Sequence, residues 1–188
     1  MSERAKIFKV VLLGDGAVGK TSLRHRFLGQ GFTKSYSMTI GADFGVKRIF
    51  VKRKAYVVQI WDIAGQDRFS SIRDMYLKSS DGAMVVFDIS RPLSFKNVPK
   101  WIEDLAECNN NQPLPLVLIG NKSDLRKDKG IFIEEDQIQT YIKQLEEWTG
   151  FDIDYVETSA MTGDNVEDAF KSLITKIEEL SKKKVSKL

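Results

Sequence analysis

The run Gly14-Asp15-Gly16-Ala17-Val18-Gly19-Lys20-Thr21 constrains this chain more than any other stretch. Glycine, four free positions, then Gly-Lys-Thr is the spacing of a loop that wraps phosphate, and its setting is right. The buried-strand run Val10-Val11-Leu12-Leu13 precedes it and a helical segment, Ser22 to Leu28, follows it. The glycines let the backbone curl and turn its N–H groups toward phosphate oxygens. The helix adds the positive end of its dipole. Lys20 is placed to reach β- and γ-phosphates, and the Thr21 hydroxyl, with Ser22 behind it, faces a Mg²⁺ that would accompany them. A strand, a phosphate loop and a helix in that order already favour an α/β fold.

The remaining apolar runs agree. Ile7–Leu13, Ala42–Val51, Ala55–Asp62, Ala83–Ile89, Leu114–Gly120 and Ile153–Glu157 read as strands. Ser22–Leu28, Ser94–Glu107, Glu134–Thr149 and Asp164–Leu180 read as helices. In the third helix Ile138, Ile142 and Leu145 share a face; in the last, Val166, Ala169, Phe170, Leu173, Ile174 and Ile177 do. Gly31–Gly41 reads as a loop and Ile63–Lys78 as a mixed stretch. Lys52-Arg53-Lys54 is too short to be anything but a hairpin connection, so its two strands pair antiparallel. The expectation is a six-stranded, mostly parallel sheet with one antiparallel edge strand and helices on both faces. Ligands of such sheets sit at the carboxyl ends of the strands, where the further motifs fall.

Trp61-Asp62-Ile63-Ala64-Gly65-Gln66 closes the third strand. A carboxylate at Asp62 can hold Mg²⁺ through its water shell, because Mg²⁺ prefers oxygen ligands and keeps several waters. The Gly65 N–H can meet a γ-phosphate, and Gln66 can orient an attacking water. Asn121-Lys122-Ser123-Asp124 follows the fifth strand. Asp124 can accept from the N1–H and exocyclic amine of guanine, a pair of donors that adenine lacks. Asn121 braces the loop, and the Lys122 stem covers a ring face. Thr158-Ser159-Ala160-Met161 follows the sixth strand and offers the Ala160 N–H to guanine O6. Thr39 can complete Mg²⁺ coordination while a γ-phosphate is bound. Phe32 either packs against the guanine edge or anchors its loop in the core.

In order and spacing these motifs resemble the Ras superfamily of small GTPases over about residues 6 to 180, and within it the Rab family most closely. Ile40-Gly41-Ala42-Asp43-Phe44, Gln59-Ile60-Trp61-Asp62, Gln66-Asp67-Arg68-Phe69 and Phe8-Lys9-Val10-Val11-Leu12-Leu13-Gly14-Asp15-Gly16 carry the Rab-like detail. The resemblance implies a P-loop NTPase G domain over residues 1–181 with a short basic tail, 182–188. It implies a switch that binds GTP and GDP with Mg²⁺ and hydrolyses GTP slowly. Gln66, Lys20, Gly65 and Thr39 would be catalytic, Thr21, Thr39 and Asp62 metal-holding. Phe44, Trp61 and Tyr76 would form an effector surface. An exchange factor and an activating protein supplying an arginine are the further partners implied, since Ser37 and Met38, not arginine, precede Thr39.

Three features depart from the Rab pattern. No cysteine suitable for prenylation stands near the C-terminus, Met161 replaces the usual lysine, and the segment from Arg126 to Ile153, with Trp148 in it, is longer than usual. The competing readings are a non-switching nucleotide-binding scaffold, which would lack Thr39 or Gln66, and an ATPase, which Asp124 disfavours.

Charge and composition narrow the rest. With 29 basic and 26 acidic residues mostly interspersed, the body has no basic stripe, so nucleic-acid binding is not expected. Lys182-Lys183-Lys184 and Lys187 cluster at the tail, where they support at most weak attraction to an acidic membrane surface. Cys108 is the single cysteine, which fits a reducing compartment, and the absence of a signal peptide or long apolar run fits a cytoplasmic monomer. Ser186-Lys187-Leu188 matches a peroxisomal address that nothing else in the chain supports.

Overall fold

A computed structural model describes residues 5–32, 39, 41–65, 70–112, 114–128, 130, 132–150 and 152–185. Its strands are β1 (Lys6–Leu13), β2 (Ala42–Val51), β3 (Lys54–Ile63), β4 (Gly82–Asp88), β5 (Leu116–Asn121) and β6 (Asp154–Thr158). Its helices are α1 (Lys20–Leu28), α2 (Ser70–Leu77), α3 (Pro92–Lys96), α4 (Val98–Cys108), α5 (Glu135–Thr149) and α6 (Val166–Val185), with a 3₁₀ turn at Ser123–Lys127.

The sheet order is β2-β3-β1-β4-β5-β6. Only β2 runs antiparallel to its neighbour, with Ala42 opposite Ile63 and Val51 opposite Lys54. Every other pairing is parallel. The reason lies in the alternation of side chains. Val10 and Leu12 of β1, Met84 and Val86 of β4, and Val117 and Ile119 of β5 join one core with α1 and α6. Val11, Leu13, Ala83, Val85, Phe87, Leu116 and Leu118 join a second core with α4 and α5. Strands apolar at every position bury both faces, which requires helices on both sides. Phe27 and Phe170 stack at 3.7 Å between centroids and fasten α1 to α6.

Three local outcomes differ from the sequence reading. The helix expected over Ser94–Glu107 is two helices meeting at Asn97. Pro99 explains the break: its ring has no N–H and collides with the carbonyl four residues back, so it is tolerated only in a first turn, where α4 places it. The stretch Ile63–Lys78 contains α2, too short to show a period, with Leu77 fully buried. The hairpin connection is two residues, Lys52 and Arg53, both at positive φ (47° and 66°), a backbone that matches the twist of the paired strands.

The Arg126–Ile153 segment holds the last two residues of the 3₁₀ turn and all of α5, whose Ile138, Ile142 and Leu145 are buried as the spacing predicts. Lys182–Lys184 continue α6. Cys108 is half-buried against the second core, and burial together with the Asp74 carboxylate pushes its thiol up to about 11. Among the described residues no helix is long and apolar enough to cross a membrane. Ser37, Met38, Gln66, Asp67, Arg68, Phe69 and the Ser186-Lys187-Leu188 tripeptide lie outside the described residues.

Candidate functional site

The carboxyl ends of β1, β3, β4, β5 and β6 converge on one edge of the sheet. After β1 the chain curls through Gly14 (φ 133°), Ala17 (φ 63°) and Gly19 (φ 101°) before entering α1. A Cβ on Gly14 would run into the Val86 carbonyl of β4, and one on Gly19 into the Asn121 amide. Gly19 caps α1 with no side-chain hydrogen bond, and no acidic residue stands in the first turn. Those first N–H groups therefore remain directed at the loop, where an anion is the natural partner. Lys20 is buried, and its Nζ donates to the carbonyls of Gly14 (2.6 Å) and Asp15 (2.8 Å), so the ammonium lies inside the curl. Val18 is buried beneath it, while Gly16 and Ala17 sit at the turn.

Beside the ammonium three oxygens gather. The Thr21 hydroxyl donates to Asp62 Oδ2 at 2.5 Å and lies 2.9 Å from the Thr39 hydroxyl. Thr39 Oγ1 is itself 3.4 Å from Asp62 Oδ2. Asp62 is fully buried at the end of β3, and Oδ1 has no hydrogen-bond partner among the described residues. Burial pushes its carboxyl up, against the Thr21 hydroxyl and the Lys20 and Arg24 charges that pull it down. A buried carboxylate with one orphaned oxygen and two hydroxyls at hand suits a hard divalent cation that completes its shell with water and phosphate. Among the described residues no cluster of three His, Cys, Asp or Glu side chains could hold a metal, so such an ion would depend on these few oxygens. Gly65 packs directly on the phosphate loop, where a Cβ would stand 2.5 Å from Gly14 O and 2.6 Å from Gly16 N. Ser22 is half-buried in the first turn of α1.

The loops expected to meet a base follow β5 and β6. Asn121 is buried; its Nδ2 donates to Val18 O (2.8 Å), and its Oδ1 accepts from Thr158 Oγ1 and Ala160 N, both at 3.2 Å. One amide thus ties the phosphate loop to both base loops. The Ala160 N–H, expected to face a base oxygen, is engaged with Asn121 here. Ser159 Oγ donates to Asp124 Oδ1 at 2.5 Å. Lys122 stands at φ 72°, and its ammonium pairs with Asp88 Oδ2 at 2.7 Å. Met161 is exposed, as is Phe32 at 37%, which sets aside the reading of Phe32 as a core anchor. Across the outer edge, Trp61 packs against Phe44 (4.8 Å) and Tyr76 (5.4 Å), making one continuous aromatic surface.

Some site residues were not anticipated. Asp88 ends β4 as Asp62 ends β3, and a carboxylate closing a wholly apolar strand was the available signal. Arg24, only 4% exposed, pairs with Asp43 and so joins α1 to β2. Arg26 donates from Nε to Ala160 O at 2.9 Å and from Nη2 to Met161 O, holding the loop after β6 from α1. No local pattern marks these arginines, because their partners are distant in sequence.

The sequence profile of the Ras family matches residues 9–179. Ras-related protein Rab-11C of Dictyostelium discoideum is 38% identical over 178 residues, covering 95% of this chain and 75% of that protein. Ras-related protein RABA6b of Arabidopsis thaliana is 40% identical over 179 residues, 95% of this chain and 74% of its own. Ras-related protein Rab7 of Drosophila melanogaster is 38% identical over 186 residues, 96% and 85%.

Proposed function

The chain belongs to the Ras family, and from that premise we propose that it is a Rab-like switch that binds GTP and GDP with Mg²⁺ and hydrolyses GTP slowly. The observation that carries the reading is the Thr21–Thr39–Asp62 cluster, in which the loop after α1 reaches the metal-holding oxygens through one hydroxyl. Residues 1–181 form the GTP-binding domain in this reading, and 182–188 a short basic tail.

Lys20 and the loop N–H groups hold the β- and γ-phosphates, while Asp124, Asn121, Lys122, Ser159 and Ala160 select guanine. The γ-phosphate orders two loops by drawing in Thr39 and the Gly65 N–H. Gln66 orients a water for attack on the γ-phosphorus, breaking its bond to the β–γ bridging oxygen. Thr21, Thr39 and Asp62 would hold Mg²⁺, which would neutralise phosphate charge there. Loss of the γ-phosphate removes the anchor for Thr39 and Gly65, and the loops relax. Effectors read that change at Phe44, Trp61 and Tyr76. A partner arginine would add about 10³–10⁵ in rate. A side chain at Gly16 would crowd that arginine and Gln66.

Chromatography of nucleotide released on denaturing the purified protein tests the reading, before and after loading with Mg²⁺-GTP. GDP at the start, and GTP converted slowly after loading, is the expected result. ATP, or GTP that never turns over, would overturn it. Gln66→Leu should slow conversion while leaving GTP bound.

A further inference from the structure

Asp15 occupies a free position of the phosphate-loop pattern, yet both oxygens of its side chain are held by hydrogen bonds. Trp101 Nε1 donates to Asp15 Oδ1 at 2.9 Å, and Asn97 Nδ2 donates to Oδ2 at 2.8 Å. Arg91 Nη2 donates to the neighbouring Gly16 carbonyl at 2.7 Å. All three donors come from one short region, the entry to α3 and the α3–α4 junction. Asn97 is the capping residue of α4 but makes no cap hydrogen bond; its amide is given to Asp15 instead. The same region begins at Asp88, which holds Lys122 of the base loop.

We propose that the α3–α4 junction is a positioning element for the phosphate loop, with Trp101 and Asn97 acting through Asp15 and Arg91 acting through Gly16. This rests on the nucleotide-binding reading of that loop. A carboxylate beside bound phosphates would repel them. Here both of its oxygens are taken up by N–H donors of the α3–α4 junction, and charge-assisted bonds of this kind fix a side chain firmly. The Asp15 and Gly14 carbonyls that receive Lys20 belong to the same turn, so displacement of Asp15 displaces the ammonium's seat. The junction thus sets how tightly phosphates are held without touching them.

The test is a double-mutant cycle on the full chain, reading the release rate of a fluorescent GDP, the ³¹P spectrum of bound GDP and thermal unfolding. Trp101→Phe keeps a ring and removes the N–H; Asp15→Ala removes its acceptor. Trp101→Phe should speed release about tenfold, Asp15→Ala somewhat more because it also frees Asn97, and the double variant should release no faster than Asp15→Ala alone. The β-phosphate resonance should shift in each. Asn97→Ala, at a half-buried position, should do the same more weakly and serves if Trp101→Phe does not fold. Parental release rates and ³¹P spectra with only a lowered unfolding temperature would overturn the inference, as would additive effects in the double variant. Failure of the parent protein to bind GDP would instead overturn the nucleotide-binding reading beneath it.

Discussion

Gly19→Ala should be among the most damaging single-methyl changes in this chain, and its effect can be worked from the geometry. Gly19 sits at φ 101°, where an alanine pays about 1–2 kcal/mol for left-handed backbone. The added methyl would also lie nearer than 3.0 Å to Asn121 Nδ2, so the amide must move. Asn121 then loses its bonds to Val18 O, Thr158 Oγ1 and Ala160 N, about 0.5–1.5 kcal/mol each. The combined loss is about 3–6 kcal/mol, against a total stability of about 5–15 kcal/mol for a domain. Gly29→Ala is the control: it also has a positive φ, 81°, but nothing lies within 4 Å of its Cβ, so it pays the backbone cost alone. Urea unfolding of parent and both variants in one GDP-containing buffer measures the difference, expected at about 2–4 kcal/mol. Repeating it at higher GDP separates the structural loss from lost ligand stabilisation, which alone varies with ligand concentration. Equal losses for Gly19→Ala and Gly29→Ala would refute the argument that Asn121 locks the phosphate loop to the base loops.

Three other perturbations have defined outcomes. Asp62→Ala should abolish the slowing of GDP release by Mg²⁺, so that rates with Mg²⁺ and with EDTA coincide; a parental Mg²⁺ effect would count against the cation site. Asp124→Ala should weaken GDP roughly 10²-fold and bring GDP and ADP affinities together, because the guanine donors and the Ser159 hydroxyl lose their acceptor; an unchanged GDP-to-ADP ratio by calorimetry would remove Asp124 from base selection. Burial would raise the Asp88 carboxyl, but Lys122 and Ser90 outweigh it and hold it below its ordinary value of 3.8. Its stabilisation is therefore complete above that value and lost as pH falls through the lower folded one. Asp88→Asn should be less stable than the parent at about pH 6, and the gap should close below about 3.8 in acid titrations followed by circular dichroism; a gap constant across the acid limb would contradict the Lys122 pairing.

Most of the architecture was legible because the constraints were local. Val10–Leu13, Ala83–Phe87 and Leu116–Ile119 are apolar at every position, which only strands covered on both faces can satisfy. The glycines of the phosphate loop announce backbone that side chains disfavour. Local signals failed where opposing preferences met. Ser94–Glu107 reads as one helical stretch, yet the steric effect of Pro99 splits it, and α2 is too short for its period to stand out. Lys52 and Arg53 adopt positive φ without glycine or asparagine, because the pairing of β2 with β3 outweighs the local cost.

By itself the sequence set out the residues on which the proposed chemistry rests: the Gly14–Thr21 spacing and the carboxylates of Asp62 and Asp124. Those depend on residue type and spacing along a few residues of backbone. Only the tertiary structure decided what holds each in place. Asn121 bridging Val18 and Ala160, Asp88 holding Lys122, and Trp101 and Asn97 holding Asp15 join residues 34 to 103 positions apart. Such partners meet only when the parallel strands bring their carboxyl ends to one edge, and no periodicity along the chain records that meeting.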